Sequence, residues 1–239
     1  MTLLETDKLV LSSKKGQMDE EINKHVLRTG TLTMGIVCKD GIVLAADNRV
    51  TYAGRDNGVK YFAGKANKIV KINERILATI AGVASDAVRS LKIIGAELKL
   101  KELKTKEEVS MSESASLISN MLYQNLRTPS MIPSIVHFLV AGYDATGISL
   151  YDLTPDGYLE KVETYEATGA PFQAHAVLDS DYKAGLSLDE GIKLAIKAFK
   201  ATIGREPGVG DGIDVYTIKP GEIKQVLDQE VISELRNVK

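Results

Sequence analysis

The chain has 239 residues, enough for one substantial hydrophobic core, and no Pro/Gly/Ser-rich linker divides it into two domains. Its 30 lysines and arginines and 32 aspartates and glutamates give a net charge of −2, which provides no basic surface for nucleic acid or an anionic membrane. The single cysteine, Cys38, excludes an intramolecular disulfide, and its apolar neighbours predict a buried structural thiol.

Residues 1–30 form a polar extension. It does not contain the basic start and following apolar segment of a signal peptide. No later apolar run is long enough to cross a bilayer. We therefore expect a cytoplasmic protein with one domain at 31–239. His25, His137 and His175 lack metal-ligand spacing, so we expect no metal and no cofactor, and His137, in an apolar run, is predicted to be a core residue.

The first elements after the extension are predicted to be strands. Apolar runs predict them at 32–38, 42–46, 68–72 and 76–81. The first two flank Asp40-Gly41, a dipeptide that supplies the positive φ angles of a tight hairpin turn. The polar, glycine-containing stretch 53–67 predicts a surface excursion.

Helical periodicity begins after Gly82. A helix from about Ser85 to Lys104 is predicted to bury Val88, Leu91, Gly95 and Leu98. A second helix has the apolar face Leu117, Ile118, Met121, Leu122 and Leu126, before Pro129 and Pro133.

The rest of the chain returns to strands and then to one further helix. Strands are predicted at 135–141, 148–153, 158–162, 213–218 and 223–227, followed by a short terminal helix. Before the last two strands, Ser187 and Glu190 predict a capping box for a helix that buries Leu188, Ile192, Ile196, Phe199 and Ile203.

Hairpin-joined strands favour antiparallel sheets, and amphipathic helices need a sheet face to cover. The sequence therefore predicts an α+β fold, a four-layer αββα sandwich in which helices flank two stacked antiparallel sheets.

An ordered series of short motifs carries the functional signal. Gly30-Thr31-Leu32-Thr33 stands where the extension meets the first strand. It is followed by Asp47-Asn48-Arg49-Val50-Thr51, Asn67-Lys68-Ile69-Val70 and Thr79-Ile80-Ala81-Gly82. This series resembles the β subunits of archaeal-type 20S proteasomes, which are N-terminal nucleophile hydrolases of the threonine peptidase family. The match runs from Thr31 to about Ile218.

The resemblance implies a threonine endopeptidase with Thr31 as its nucleophile. Autocatalytic cleavage between Gly30 and Thr31 would remove residues 1–30 as a pro-segment. The freed α-amine, whose unperturbed pKa is roughly 7.7 to 8.0, can then act as general base for the hydroxyl of the same residue. Lys68 matches a buried lysine that lowers the cost of the alkoxide, and Asp47 matches the acid that pairs with it.

Other site residues follow from motif position. Gly82 matches a backbone donor to the oxyanion, and Thr168 matches a hydroxyl, usually a serine, near the terminal amine. The substrate-binding positions are Val50, Thr51, Val70, Ile80 and Ala84. Because the pocket positions among them are apolar, cleavage after hydrophobic residues is expected.

The segment Gly208-Val209-Gly210-Asp211-Gly212 departs from the family pattern. It is not a phosphate loop, because it follows a helix and precedes a strand. An aspartate and a serine that complete the family's site fall at Glu206 and Val209. Glu206 remains in the expected catalytic set, but the longer acid and the lost hydroxyl leave an alternative open, a catalytically weak or inactive structural β-type subunit.

The resemblance also implies partners. These are other β subunits in heptameric rings, α-subunit rings on either side, a regulatory ATPase, and unfolded protein or peptide as substrate. A different N-terminal nucleophile amidohydrolase, acting on a small amide, fits the nucleophile but not the Lys68 and Ala81-Gly82 motifs. An α-ring subunit is disfavoured because the extension lacks the N-terminal helix signature of that branch.

Overall fold

A computed structural model describes residues 30–53, 60–130 and 134–230. Their elements, in chain order, are β1 Leu32–Cys38, β2 Gly41–Asp47, β3 Arg49–Ala53, β4 Lys60–Lys65, β5 Ile69–Asn73, β6 Ile76–Thr79, β7 Ala81–Gly82, α1 Ala84–Thr105, α2 Met111–Arg127, β8 Val136–Asp144, β9 Gly147–Leu153, β10 Leu159–Lys161, β11 Tyr165–Gly169, α3 Phe172–Asp181, α4 Leu188–Ile203, β12 Gly212–Lys219 and β13 Glu222–Glu230. The predicted pro-segment up to residue 29 and the predicted terminal helix lie outside the described residues.

Two antiparallel sheets form the centre of the molecule. One has the strand order β11-β1-β2-β12-β13, and the other has β10-β9-β8-β6-β5 with β7 beside β8. Side chains of β2 alternate between two cores, as strand geometry requires. Ile42 and Leu44 pack between the sheets against Leu139 of β8, while Val43 and Ala45 face the helices.

Each sheet is covered by a pair of helices on its outer face. α1 and α2 contribute Ile94, Leu98 and Ile118 to one core, and α3 and α4 contribute Leu178 and Phe199 to another. The layers are therefore helix, sheet, sheet and helix, which confirms the predicted αββα sandwich. The capping box at Ser187 and Glu190 is confirmed, and a second one begins α2.

The predicted faces of the helices are only partly right. In α1, Val88 is 40 % exposed, and the buried side chains are Ala87, Ser90, Leu91, Ile94 and Leu98. In α4, Leu188 and Phe199 are buried as predicted, but Ile192, Ile196 and Ile203 are half-buried because the small residues Gly191, Ala195 and Ala198 face the sheet. A Cβ at Gly191 would lie 2.6 Å from the Cys38 Sγ, so glycine lets α4 approach β1 closely.

Several other local predictions need correction. The stretch 53–67, predicted as a surface excursion, is exposed at 65–67 as expected, but it also contains β4, which pairs with β3 in a two-stranded ribbon. Strand β11 and helix α3 are not in the sequence prediction. His137 is half-buried and pairs with Asp152 instead of lying in the core.

Cys38 is buried as predicted, and this burial raises the pKa of its thiol to about 12.

Three chain segments from the two sheets come together at one edge of the sandwich. Thr31 precedes β1 and Asp47 ends β2 in one sheet, whereas Lys68 precedes β5 in the other. Of the described helices, none combines the length and apolar character needed to cross a membrane.

Candidate active site

Thr31, Asp47 and Lys68 form one hydrogen-bonded group. The Lys68 Nζ donates to the Thr31 Oγ1 at 3.0 Å and to the Asp47 Oδ1 at 2.7 Å. All three residues are buried, with exposures of 2 %, 0 % and 7 % for Thr31, Asp47 and Lys68. The structure therefore brings together three residues that the sequence separates by as many as 37 positions.

Asp47 is held by four N–H donors. Its Oδ1 also accepts the Leu32 amide at 2.9 Å, and its Oδ2 accepts the amides of Arg49 at 3.0 Å and Gly210 at 3.1 Å. Such donors stabilise a carboxylate that burial would otherwise neutralise. The same bonds tie the backbone after Thr31 to the end of β2.

Burial raises the pKa of Asp47 and lowers that of Lys68, and attraction between the two charges opposes both shifts. A lysine with a lowered pKa gives up its proton more easily than a lysine in water. As a cation, the same group stabilises a developing alkoxide. The arrangement can therefore activate the Thr31 oxygen as a nucleophile.

An apolar cavity of about 100 Å³ opens beside Thr31. Its lining includes three predicted pocket residues, Val50, Ile80 and Ala84, together with Gly82 and the exposed Val88. Val70 packs instead against the core under α1, and Thr51 is buried with a hydroxyl oxygen that makes no hydrogen bond among the described residues. The structure thus groups three of the five predicted substrate-binding residues around one cavity.

Gly82 lies at the bend that leads from the second sheet into α1. Its φ is +113°, and a Cβ there would lie 2.3 Å from the Ile135 carbonyl oxygen. Only glycine is accommodated at such a position. α1 begins two residues later, so its positive N-terminus lies behind the cavity.

Thr168 belongs to a chain of buried hydroxyls that the sequence did not reveal. Its Oγ1 lies 3.0 Å from the Thr33 Oγ1, which accepts a hydrogen bond from the Thr79 hydroxyl at 3.0 Å. The Thr79 Oγ1 in turn accepts the Leu139 amide at 3.2 Å. The Leu139 amide can only donate, so it is the fixed end of this chain, whereas the hydrogen bond between Thr33 and Thr168 can run in either direction.

The segment 208–212, which differs from the family pattern, lies in a loop that Arg49 holds in place. The Arg49 Nε and Nη2 donate to the two carboxylate oxygens of Asp211 at 2.8 and 2.9 Å, and its Nη1 donates to the Pro207 carbonyl at 2.9 Å. The Glu206 Oε1 accepts the Gly208 amide at 3.4 Å. Val209 is fully buried in the core beneath α4, where the resemblance has a serine hydroxyl.

Arg49 and Asp211 are site residues that the sequence reasoning missed. Both lie inside motifs that were singled out, but 162 positions separate them, and no spacing rule predicts their pairing. Within the described residues, no cluster of three His, Cys, Asp or Glu side chains is arranged to hold a metal ion.

Comparison with known proteins gives one consistent result. A family model described as proteasome subunit matches residues 27–218. Over 212 residues the chain is 33 % identical to a protein named proteasome subunit beta from Methanocaldococcus vulcanius, covering 88 % of this chain and 91 % of that protein. Proteins of the same name from Methanopyrus kandleri and Ferroglobus placidus are 35 % and 34 % identical, covering 87 % and 84 % of this chain and 96 % and 92 % of their own lengths.

Proposed function

The chain belongs to the proteasome subunit family as a β subunit, and on this premise we propose that it is a threonine-type endopeptidase with Thr31 as its nucleophile. One observation carries the proposal: the Lys68 Nζ lies 3.0 Å from the Thr31 Oγ1 while the buried Asp47 holds the lysine from the other side. A lysine in this position lowers the free energy of the alkoxide, which a threonine hydroxyl alone does not reach at neutral pH.

Maturation would begin with attack by the Thr31 Oγ1 on the carbonyl carbon of Gly30. The hydroxyl proton passes to a neighbouring base, the C–N bond breaks, and the departing nitrogen takes up a proton to become the α-amine of Thr31. The ester that links Gly30 to the Thr31 oxygen is then hydrolysed by water. This releases the carboxyl end of the pro-segment 1–30 and restores the hydroxyl.

Peptide hydrolysis would repeat the same chemistry on another chain. The free α-amine serves as general base, and Gly82 at the head of α1 supplies a backbone donor to the oxyanion. Thr168 would hydrogen-bond near the amine, and Glu206 would position it from the loop that Arg49 holds in place. The apolar cavity lined by Val50, Ile80 and Ala84 supports cleavage after hydrophobic residues.

The family membership supports assembly into a multisubunit proteasome. We propose that the chain forms heptameric β rings between α-subunit rings and that a regulatory ATPase delivers unfolded protein. The role of the ATPase can be tested by measuring degradation of a folded substrate protein and of the same protein after unfolding. Each substrate is assayed with and without the ATPase and ATP.

A structural β subunit with little activity is the second candidate. It is supported by Val209, which is fully buried and which, by the resemblance, stands where the family has a hydroxyl. Glu206 extends its carboxylate one methylene farther than an aspartate would. Both changes affect the group that positions the terminal amine.

Intact mass measurement after co-assembly with α subunits tests the proposal. The wild-type chain should lose residues 1–30 and hydrolyse a short apolar peptide, and Thr31→Ser should retain both reactions because it keeps the hydroxyl. Thr31→Ala should do neither. Cleavage at Gly30 in a particle built only from Thr31→Ala chains would refute self-processing, and an intact wild-type chain would favour the structural role.

A further inference from the structure

The Gly30 backbone lies directly against that of Gly208. A Cβ at Gly30 would lie 2.4 Å from the Gly208 Cα, and a Cβ at Gly208 would lie 2.3 Å from the Gly30 Cα. Gly208 does not adopt a positive φ. At position 208 space, and not backbone conformation, therefore requires glycine, and at position 30 the close contact leaves no room for a Cβ.

Gly208 cannot easily move away from this contact. Its neighbour Pro207 is held through its carbonyl by Arg49, and its other neighbour, Val209, is fully buried in the core. Two residues further on, the Gly210 amide is bonded to the buried Asp47. The loop is fixed on both sides of Gly208, so an added methyl group would displace Gly30 instead of the loop.

A second glycine lies against the backbone of the next residue, Thr31. A Cβ at Gly169 would lie 2.1 Å from the Thr31 carbonyl oxygen. Residue 30 is thus in contact with one backbone and residue 31 with another, while Lys68 holds the Thr31 hydroxyl. The segment that contains the bond to be cut is fixed from three directions.

We propose that Gly208 is a positioning residue for removal of the pro-segment: its bare backbone seats Gly30 so that the Thr31 hydroxyl meets the Gly30 carbonyl carbon. This inference rests on the proposed function. Residue 30 must then be glycine for two reasons: the attack by the Thr31 hydroxyl needs room, and the backbone of Gly208 in the mature domain leaves no space for a side chain. A displacement of about 1 Å in a reacting group costs on the order of a hundredfold in rate, so one methyl group at position 208 is enough to slow cleavage severely.

The test follows removal of residues 1–30 over time by intact mass, in full-length chains co-assembled with α subunits. Gly208→Ala and Gly30→Ala should each be cut about a hundredfold more slowly than wild type. The matched control is Gly204→Ala in the same loop region, where an added Cβ meets no atom within 4 Å, and it should be cut at the wild-type rate.

A second measurement separates positioning from a general effect on the loop. In the uncuttable Thr31→Ala chain, Gly208→Ala and Gly30→Ala should each lower the unfolding temperature. The double variant should lower the unfolding temperature by less than the sum of the two single shifts. Either methyl group alone already separates the two backbones, so the second one meets no further clash. A purely structural role for Gly208 predicts additive shifts.

The outcomes distinguish this inference from the proposed function. Wild-type cleavage together with equally fast cleavage of Gly208→Ala overturns the inference and leaves the proposed function standing. An uncut wild-type chain overturns both. If Gly208→Ala does not fold, Gly30→Ala decides, since Gly30 precedes the proposed catalytic domain, and cleavage of that variant at the wild-type rate overturns the inference.

Discussion

Replacing Lys68 by methionine tests the centre of the site. Methionine keeps most of the side-chain volume and removes the charge, which leaves Asp47 buried with three amide donors and no cation. Breaking a buried ion pair costs about 3–5 kcal/mol, and the remaining amides place this case near the lower end, about 3 kcal/mol. For a domain of this size that corresponds to a fall of about 6 to 12 °C in unfolding temperature.

Loss of chemistry should exceed what loss of stability explains. A positioned proton-transfer group contributes about 10²- to 10⁴-fold to rate, so kcat for a short apolar peptide should fall at least about a hundredfold at a temperature where the variant remains folded. The assays are thermal unfolding of the purified precursor and peptide hydrolysis by the assembled particle.

Lys71→Met is the matched control on the adjoining strand. The Lys71 side chain is 51 % exposed and pairs with the exposed Glu74, so its loss should change the free energy of unfolding by less than about 1 kcal/mol and leave kcat unaltered. A Lys68→Met protein with wild-type stability and wild-type kcat would refute the reasoning, because it would mean that Lys68 neither neutralises Asp47 nor assists Thr31.

Three further predictions concern the surroundings of this group. Thr33→Val should destabilise the fold by about 1–3 kcal/mol and lower kcat in peptide assays, because its two buried hydroxyl neighbours lose a partner. The Arg49 guanidinium holds the pKa of Asp211 below its usual range, so the pair stabilises the fold above about pH 4 and this contribution is lost as the pH falls through the folded pKa. Asp211→Asn should therefore reduce the acid dependence of the unfolding temperature in that range. Glu206→Asp combined with Val209→Ser should raise kcat with a smaller effect on KM, while burial of a hydroxyl in place of methyl groups lowers the unfolding temperature.

Each of these predictions has a contradicting result. Thr33→Ser should restore kcat, and a Thr33→Val enzyme with wild-type kcat would mean that the hydroxyl chain only fills space. An Asp211→Asn unfolding profile that parallels the wild type below pH 4 would show that the contact between Arg49 and the loop does not depend on this charge. An unchanged kcat in the double variant would mean that Glu206 has a compensating geometry of its own.

The sequence predicted the layers because short-range signals determine them, and the resemblance named Thr31, Asp47 and Lys68, which the structure brings into contact. Apolar runs, the Asp40-Gly41 turn and the Ser187 capping box are local, and the motifs around Thr31, Asp47 and Lys68 have fixed neighbours. Pairings across the fold have no such signal. The hydroxyls of Thr33 and Thr79 come from different sheets, and only the stacking of those sheets brings them within 3.0 Å.

The errors in the helix faces have a common physical cause. Hydrophobic periodicity counts large apolar side chains, so it favoured Val88 and Ile192 for the buried faces. Close packing against a sheet selects small side chains, and Ala87, Gly191 and Ala195 lie inward instead. Hydrophobic periodicity cannot predict the contact between Gly30 and Gly208 for the same reason, because glycine has no side chain that contributes to the pattern.

The place of Thr31 at the head of β1 has a consequence for local dynamics. Chain termini usually fray first and exchange their amide hydrogens fastest. β1, however, is paired on both sides, with β11 and β2, and six of its seven residues are buried. After loss of the pro-segment the new terminus would therefore continue into a strand whose amides exchange only when the whole sheet opens. Amide exchange at Leu32 to Met34 should then report global unfolding, and heat should inactivate the enzyme only as the sheet itself opens.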